Sequence, residues 1–388
     1  MQQSILHPNG GRLSYVLIFA FLLSLAGTGC QKDVGSAIAE ETPEPASIAK
    51  PAQLLKDFVQ VNLVGSNDEY DPVRIDPTLI NPWGLTSSPT GTFWPASQGT
   101  GLSQLYNGEG GQVRAPVAIP SPFAPTGGNP TGIVFNSSND FVLTSGPATG
   151  QAARFIFAGL DGVISGWAGA AGNFAVRMYQ NVGQSVYTGL AIGSTGGANY
   201  LYASDFLGAE VDVFDKAYKP VSGFSFEDPT LPSGYAPFNI QAIGNQLYVL
   251  YALVGPDGRD VPAPGNGYVS IFNMDGTFVK RFASGGQLNA PWGIAQAPAG
   301  FYADDNTGRH AVGSTILIGN FGDGTINAYT MDGEWLGQLR AHGAPIVIDG
   351  LWGIMFPPAG ATSIDPNRLY FVAGPDHEEQ GLFGYITK

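Results

Sequence analysis

Asn81-Pro82-Trp83-Gly84-Leu85 decides how this chain is read, because the sequence keeps returning to it. It recurs as Asn129-Pro130-Thr131-Gly132-Ile133, then more loosely as Val186-Tyr187-Thr188-Gly189-Leu190 and Ala236-Pro237-Phe238-Asn239-Ile240. It sharpens again at Ala290-Pro291-Trp292-Gly293-Ile294 and Gly350-Leu351-Trp352-Gly353-Ile354. The central glycine, replaced by Asn239 in the fourth copy, falls at 84, 132, 189, 239, 293 and 353, so the intervals are 48, 57, 50, 54 and 60 residues. A strand-rich repeat with a period near fifty marks a propeller or a similar array.

Each repeat divides into three or four short strands. The first is apolar, as in Ile133-Val134-Phe135 and Ile294-Ala295-Gln296. The second is aromatic or β-branched, as in Thr92-Phe93-Trp94, Phe141-Val142-Leu143, Tyr200-Leu201-Tyr202 and Leu369-Tyr370-Phe371-Val372, residue types suited to a packed, pleated surface. The third alternates, as in Arg154-Phe155-Ile156-Phe157, Val211-Asp212-Val213-Phe214 and Val269-Ser270-Ile271-Phe272. Asp161-Gly162, Asp275-Gly276 and Asp332-Gly333 then supply the positive φ of a tight hairpin, and a fourth strand follows.

The sixth repeat ends after its third strand, Leu382-Phe383-Gly384-Tyr385-Ile386. At the other end, Phe58-Val59-Gln60-Val61-Asn62-Leu63-Val64 alternates like a strand and precedes the first signature. The expected fold is therefore all-β: a six-bladed β-propeller closed by an N-terminal strand that completes the last blade. Closure removes sheet edges that would otherwise invite aggregation. A β-solenoid or a two-sheet sandwich would not account for an unfinished last repeat matched by a spare first strand.

Gly and Pro number 55 and 29 in 388 residues, but they sit between apolar runs and read as turns. The net charge of -14 argues against nucleic acid, whose phosphates would repel the chain. Residues 1–30 read as an export signal, with Leu13 to Ala26 as an apolar run short for a membrane span. Cys30, the single cysteine, follows Ala26-Gly27-Thr28-Gly29. That pattern resembles a bacterial lipoprotein signal, except that Gly27 stands where Leu is usual; an ordinary secretory signal is the alternative. Residues 31–56 read as a flexible tether rich in Ala, Pro and Glu. Residues 57–388 form the propeller, and no disulfide is available to staple it.

The Asn-Pro-Trp-Gly-Leu opening, Gly99-Thr100-Gly101-Leu102-Ser103 with Leu105-Tyr106-Asn107-Gly108, and the Asn129–Phe135 stretch together resemble a family of uncharacterised exported bacterial propellers. The resemblance covers about Val61 to Ile386. It implies a six-bladed ring akin to the NHL-repeat and gluconolactonase-like propellers, and it leaves the activity open.

Trp83, Trp292 and Trp352 stand at the entry of inner strands, on the face where propellers usually bind ligands, and are the ligand-face candidates; packing between blades is the plainer role. Asn81, Asn129, Asn289 and Asp349 precede inner strands, and Asp205, Asn320 and Asp376 follow second strands. A ring of such oxygens suits a hard cation such as calcium, held over the channel in the gluconolactonase-like relatives by Glu, Asn and Asp. The first inner strand here has no evident Glu, and Asn and Asp also cap turns through backbone hydrogen bonds.

His310, His342 and His377 are the histidines of the body, with Asp304-Asp305 and Glu378-Glu379 near two of them. No Gly-x-Ser-x-Gly elbow, phosphate loop or Cys-x-x-Cys-His haem site is present. The expected function is a lipid-anchored binding scaffold of a bacterial cell envelope, with a glycan, peptide or protein partner and no nucleic acid. A calcium-type lactonase or hydrolase and a structural envelope component are the alternatives.

Overall fold

Each copy of the signature opens the innermost strand of one sheet. The computed structural model, which describes residues 54–302 and 314–388, places these strands at Pro82–Ser87, Pro130–Phe135, Tyr187–Thr195, Tyr235–Ile243, Pro291–Ala297 and Leu351–Met355. Further strands add outward in chain order, each antiparallel to the last, except in blade 6, whose two outermost strands come from the N-terminal segment. Blades 1, 2, 4 and 5 have four strands, blade 3 has three, and blade 6 has five. The fold is an all-β, six-bladed propeller.

Closure occurs as the incomplete last repeat implies. Val59–Gly65 pairs antiparallel with Leu382–Thr387, with Val61 opposite Tyr385 and Gly65 opposite Leu382. Arg74–Ile75 then adds a parallel fifth strand. Leu55 and Phe58 are buried against blades 5 and 6, and the Phe58 N–H donates to the Arg340 carbonyl at 3.0 Å.

The signature has a geometric meaning that its composition hides. In every inner strand the register slips there: between Pro82 and Gly84, Pro130 and Gly132, Tyr187 and Gly189, Pro237 and Asn239, Pro291 and Gly293, and Leu351 and Ile354. Such a bulge bends the strand and re-aims the extra side chain. The glycine beside it lets neighbouring blades touch backbone to backbone. A Cβ on Gly132 would lie 2.5 Å from the Leu190 nitrogen in blade 3, and one on Gly353 would lie 2.8 Å from the Trp83 carbonyl in blade 1. Asn239, the exception, makes the same link with its side chain, donating from Nδ2 to the Trp292 carbonyl at 2.7 Å.

Blade 2 departs from the sequence reading. Its second strand is Phe155–Gly159, not Phe141-Val142-Leu143, so Val163–Trp167 is third and Val176–Gln180 is fourth. Phe141 has φ +60°, which a strand does not tolerate, and Val142 keeps only an isolated bridge to Ala152. Phe141 and Leu143 are buried nonetheless; their apolar character serves an excursion packed on the blade.

The core lies between the blades. Trp94 of blade 1 stacks on Phe155 of blade 2 with ring centres 3.8 Å apart, and Phe282 of blade 4 meets Tyr329 of blade 5 at 5.8 Å.

Candidate functional site

At the loop-rich end of the channel, the bulged residues point at one another. Trp83 of blade 1 stacks on Trp352 of blade 6 at 3.6 Å and meets Trp292 of blade 5 edge-on at 6.2 Å. Phe238 of blade 4, diametrically opposite blade 1, lies 6.2 Å from Trp83. The Trp292 Nε1–H donates to the Thr188 carbonyl of blade 3 at 3.1 Å, reaching past blade 4. Phe321 stacks on Trp352 from outside at 3.9 Å. The three tryptophans are only 6, 4 and 1% exposed for Trp83, Trp292 and Trp352, so they form an aromatic plug and present no open face. Beneath it, between Gly84, Gly132, Asn239 and Gly353, the channel narrows to a cavity of about 20 Å³, room for about one water.

Around the plug runs a chain of amides. The Trp352 Nε1–H donates to Asn81 Oδ1 at 2.9 Å. Asn81 Nδ2 donates to Glu378 Oε2 at 2.7 Å and to Gln98 Oε1 at 3.0 Å. Gln98 Nε2 donates to Asn129 Oδ1 at 3.1 Å, and the Asn129 N–H donates to Asp161 Oδ2 at 3.3 Å. Glu378 and Asp161 thus terminate one polarised network spanning blades 6, 1 and 2. Burial pushes the Asp161 carboxyl up, against the pull of the Asn129 hydrogen bonds. Glu378 sits in a run of left-handed residues, with φ of 55°, 56° and 70° at Asp376, His377 and Glu378. Each costs on the order of 1 kcal/mol, and the Asp376 N–H, donating to Asp349 Oδ2 at 2.9 Å, helps hold the turn.

Beside this turn opens a pocket of about 330 Å³, walled by Arg259, Phe321, Gly322, Asp349, His377 and Glu378. It falls within the range of ligand sites, about 300–1,000 Å³. Next to Arg259, Asp260 Oδ2 is buried without a hydrogen-bond partner. Burial, with a smaller push from the Glu378 charge, raises its carboxyl to about 6. A larger hollow of about 490 Å³ opens on the other face between blades 3 and 4. Its wall is strand-end and turn residues such as Gly193, Thr195 and Gly244, and its single carboxylate, Asp275, accepts from the Thr277 N–H of its own turn. The mouth pocket concentrates the chemistry.

The residues expected to ring a cation all lie on the plug face but fall into separate groups. Asn81 and Asn129 are joined through Gln98. Asn289 and Asn320 meet in blade 5, the Asn289 N–H donating to Asn320 Oδ1 at 3.1 Å and both side chains donating to Asp323. Asp349 and Asp376 pair with each other. Asp205 stands apart, accepting the N–H groups of Val186, Leu207 and Gly208 at 2.9–3.1 Å. Among the described residues no three His, Cys, Asp or Glu side chains gather where a metal could sit. His377 lies at the pocket, whereas His342 lies in the outer hairpin Arg340–Pro345. Cys30, Asp304, Asp305 and His310 lie outside the described residues.

Sequence reasoning missed Gln98, Asp260 and Phe321, and read Asp161 only as a hairpin-turn residue. Glu378 was noticed only as a neighbour of His377. The αL turn that delivers it had one signal, the Gly374-Pro375-Asp376 start of a long loop.

No family model matches the chain. Two proteins of Acanthamoeba polyphaga mimivirus, uncharacterized protein R648 and uncharacterized protein L690, are each 33% identical to it over 342 residues, spanning 85% of this chain and 80% and 86% of theirs. Among solved structures, an auxiliary nutrient binding protein from Bacteroides ovatus superposes with a TM-score of 0.52 at 11% identity, covering 86% of this chain and 77% of that one. A protein of unknown function from Bacteroides thetaiotaomicron gives 0.51 at 10%, covering 85% and 76%. Identities so low speak to the fold alone. The three relatives found by sequence are viral. The chain belongs to the same family as mimivirus R648 and L690.

Proposed function

We propose that this propeller is a binding scaffold, exported and held to a membrane by lipid on Cys30, whose plug face takes a glycan, peptide or protein partner. The observation that carries the reading is the mouth pocket. A hollow of ligand size, about 330 Å³, lies beside a strained turn that aims Glu378 at the channel mouth, with charged and aromatic groups in its wall. Strained backbone persists where the surrounding structure enforces it, and often at functional sites.

Glycan and peptide arrays probed with the full-length protein test the reading. Glu378→Gln removes a charge from the pocket and is expected to weaken a captured ligand on the order of tenfold. Capture that is indifferent to Glu378 and to Arg259 would refute the proposed site. Chelator-sensitive hydrolysis of lactones or esters would favour the calcium-type lactonase instead. For the anchor, Cys30→Ser is expected to move the protein from the membrane to the soluble fraction, and unchanged fractionation removes that part of the proposal.

A further inference from the structure

We infer that the mouth pocket takes a protonated amine, the side chain of a lysine on a peptide or protein partner. The inference rests on the binding reading above and names the chemistry of its ligand.

Two buried oxygens near the pocket lack a donor. Asp260 Oδ2 is one. The other is Oδ1 of Asn289, a residue only 4% exposed. Asn289 Oδ1 lies against Gly322 in the pocket wall, in the space a Cβ at residue 322 would occupy, and that Cβ would also lie 2.8 Å from Pro262 Cβ. Both groups are acceptors, and a buried acceptor is costly until a donor reaches it. An ammonium carries three donors and no acceptor.

Charge selects among donors. Asp349 and Glu378 in the wall outweigh Arg259, and Asp260, next to Arg259 in the chain, feels the Glu378 charge. A neutral sugar hydroxyl leaves that repulsion in place, whereas a cation relieves it. A bare metal ion is the poorer match: the pocket is far larger than an ion, and no three-ligand cluster forms among the described residues. Phe321 adds an aromatic wall, and an aromatic face attracts an ammonium.

The pH dependence has a defined direction. The Asp260 carboxyl is raised to about 6 by burial first, with Glu378 and Asp257 pushing it up and Arg259 pulling it down; Asp349 and His377 are the other titratable groups in the pocket wall. Amine binding therefore strengthens as pH rises through about 6, well below the pH near 10.4 at which an amine loses its proton.

The experiment titrates the full-length protein with Nα-acetyl-lysine amide and, separately, with the same compound acetylated on Nζ. The indole N–H resonance of Trp352 reports, because Asn81 links it to Glu378. The expected result is a saturable shift with the amine alone, weaker below pH 6 and weakened on the order of tenfold in Asp260→Asn. Equal shifts from both compounds, or none from either, overturn the inference. If an oligosaccharide then shifts the same resonance in a Glu378-dependent manner, the binding site stands and only the amine is wrong.

Discussion

Deleting residues 54–65 is expected to abolish the cooperative thermal transition. Val59–Gly65 is the strand that completes blade 6, and its removal strips Leu382–Thr387 of its outer partner. It also removes Leu55, Phe58, Leu63 and Val64, each 3% exposed or less. Fully burying an apolar side chain of this size is worth about 1.5–3 kcal/mol, so four of them match the whole stability of a typical domain, about 5–15 kcal/mol. The bared strand would also offer its edge to other chains. Circular dichroism melts of intact and shortened protein decide the matter, and a peptide of residues 54–66 added in trans is expected to restore part of the transition. A cooperative melt within a few degrees of the intact protein would show that the ring does not depend on this closure.

Asp260→Asn is expected to raise stability at neutral pH by on the order of 3 kcal/mol, an unusual direction for a change at a buried group. Unfolded, the carboxyl titrates near its ordinary value of 3.8; folded, it titrates near 6, because burial and Glu378 disfavour the charge. Below about pH 4 both states hold the proton, and the variant should differ little from the wild type. Between about 4 and 6 the folded state binds the extra proton, so wild-type stability declines as pH rises through that window. Above about 6 the penalty is complete, and the amide, which cannot ionise, escapes it. Urea denaturation at pH 4 and pH 7.5 measures both ends. Equal stability of the two proteins at pH 7.5 would place the carboxylate in a better-solvated setting than its buried, unpartnered Oδ2 implies. Coupled with the expected loss of amine binding, the gain would identify Asp260 as a group whose cost to the fold serves the site, the exchange of stability for function seen at many binding residues.

The repeat made most of the architecture readable in advance. Six signatures at intervals near fifty, an unfinished last repeat and a spare first strand leave one economical closure, and Val61 does sit opposite Tyr385. Blade 2 escaped because Phe141 and Leu143 carry the apolar character of a strand while lying in a packed excursion. Local composition cannot distinguish those cases, since both bury the same side chains. For the site, the sequence marked candidate residues, and the closed ring supplied the partners they bond to. Asn81, Asn129, Asn289 and Asp349 precede inner strands and lie at the mouth, yet their side chains serve amide links and turns.

What the chain by itself determined is the count of blades, their order and the glycine at five of the six inner strands, because these depend on spacing and on whether a Cβ fits. Which side chains meet at the axis was decided only by the assembled ring. Trp83 and Phe238 are 155 positions apart and touch because opposite blades converge there. Glu378 reaches Asn81 across 297 positions because closure sets the last blade against the first. Contacts of that kind depend on how the sheets tilt around the axis, a property of the closed ring that no stretch of residues carries alone.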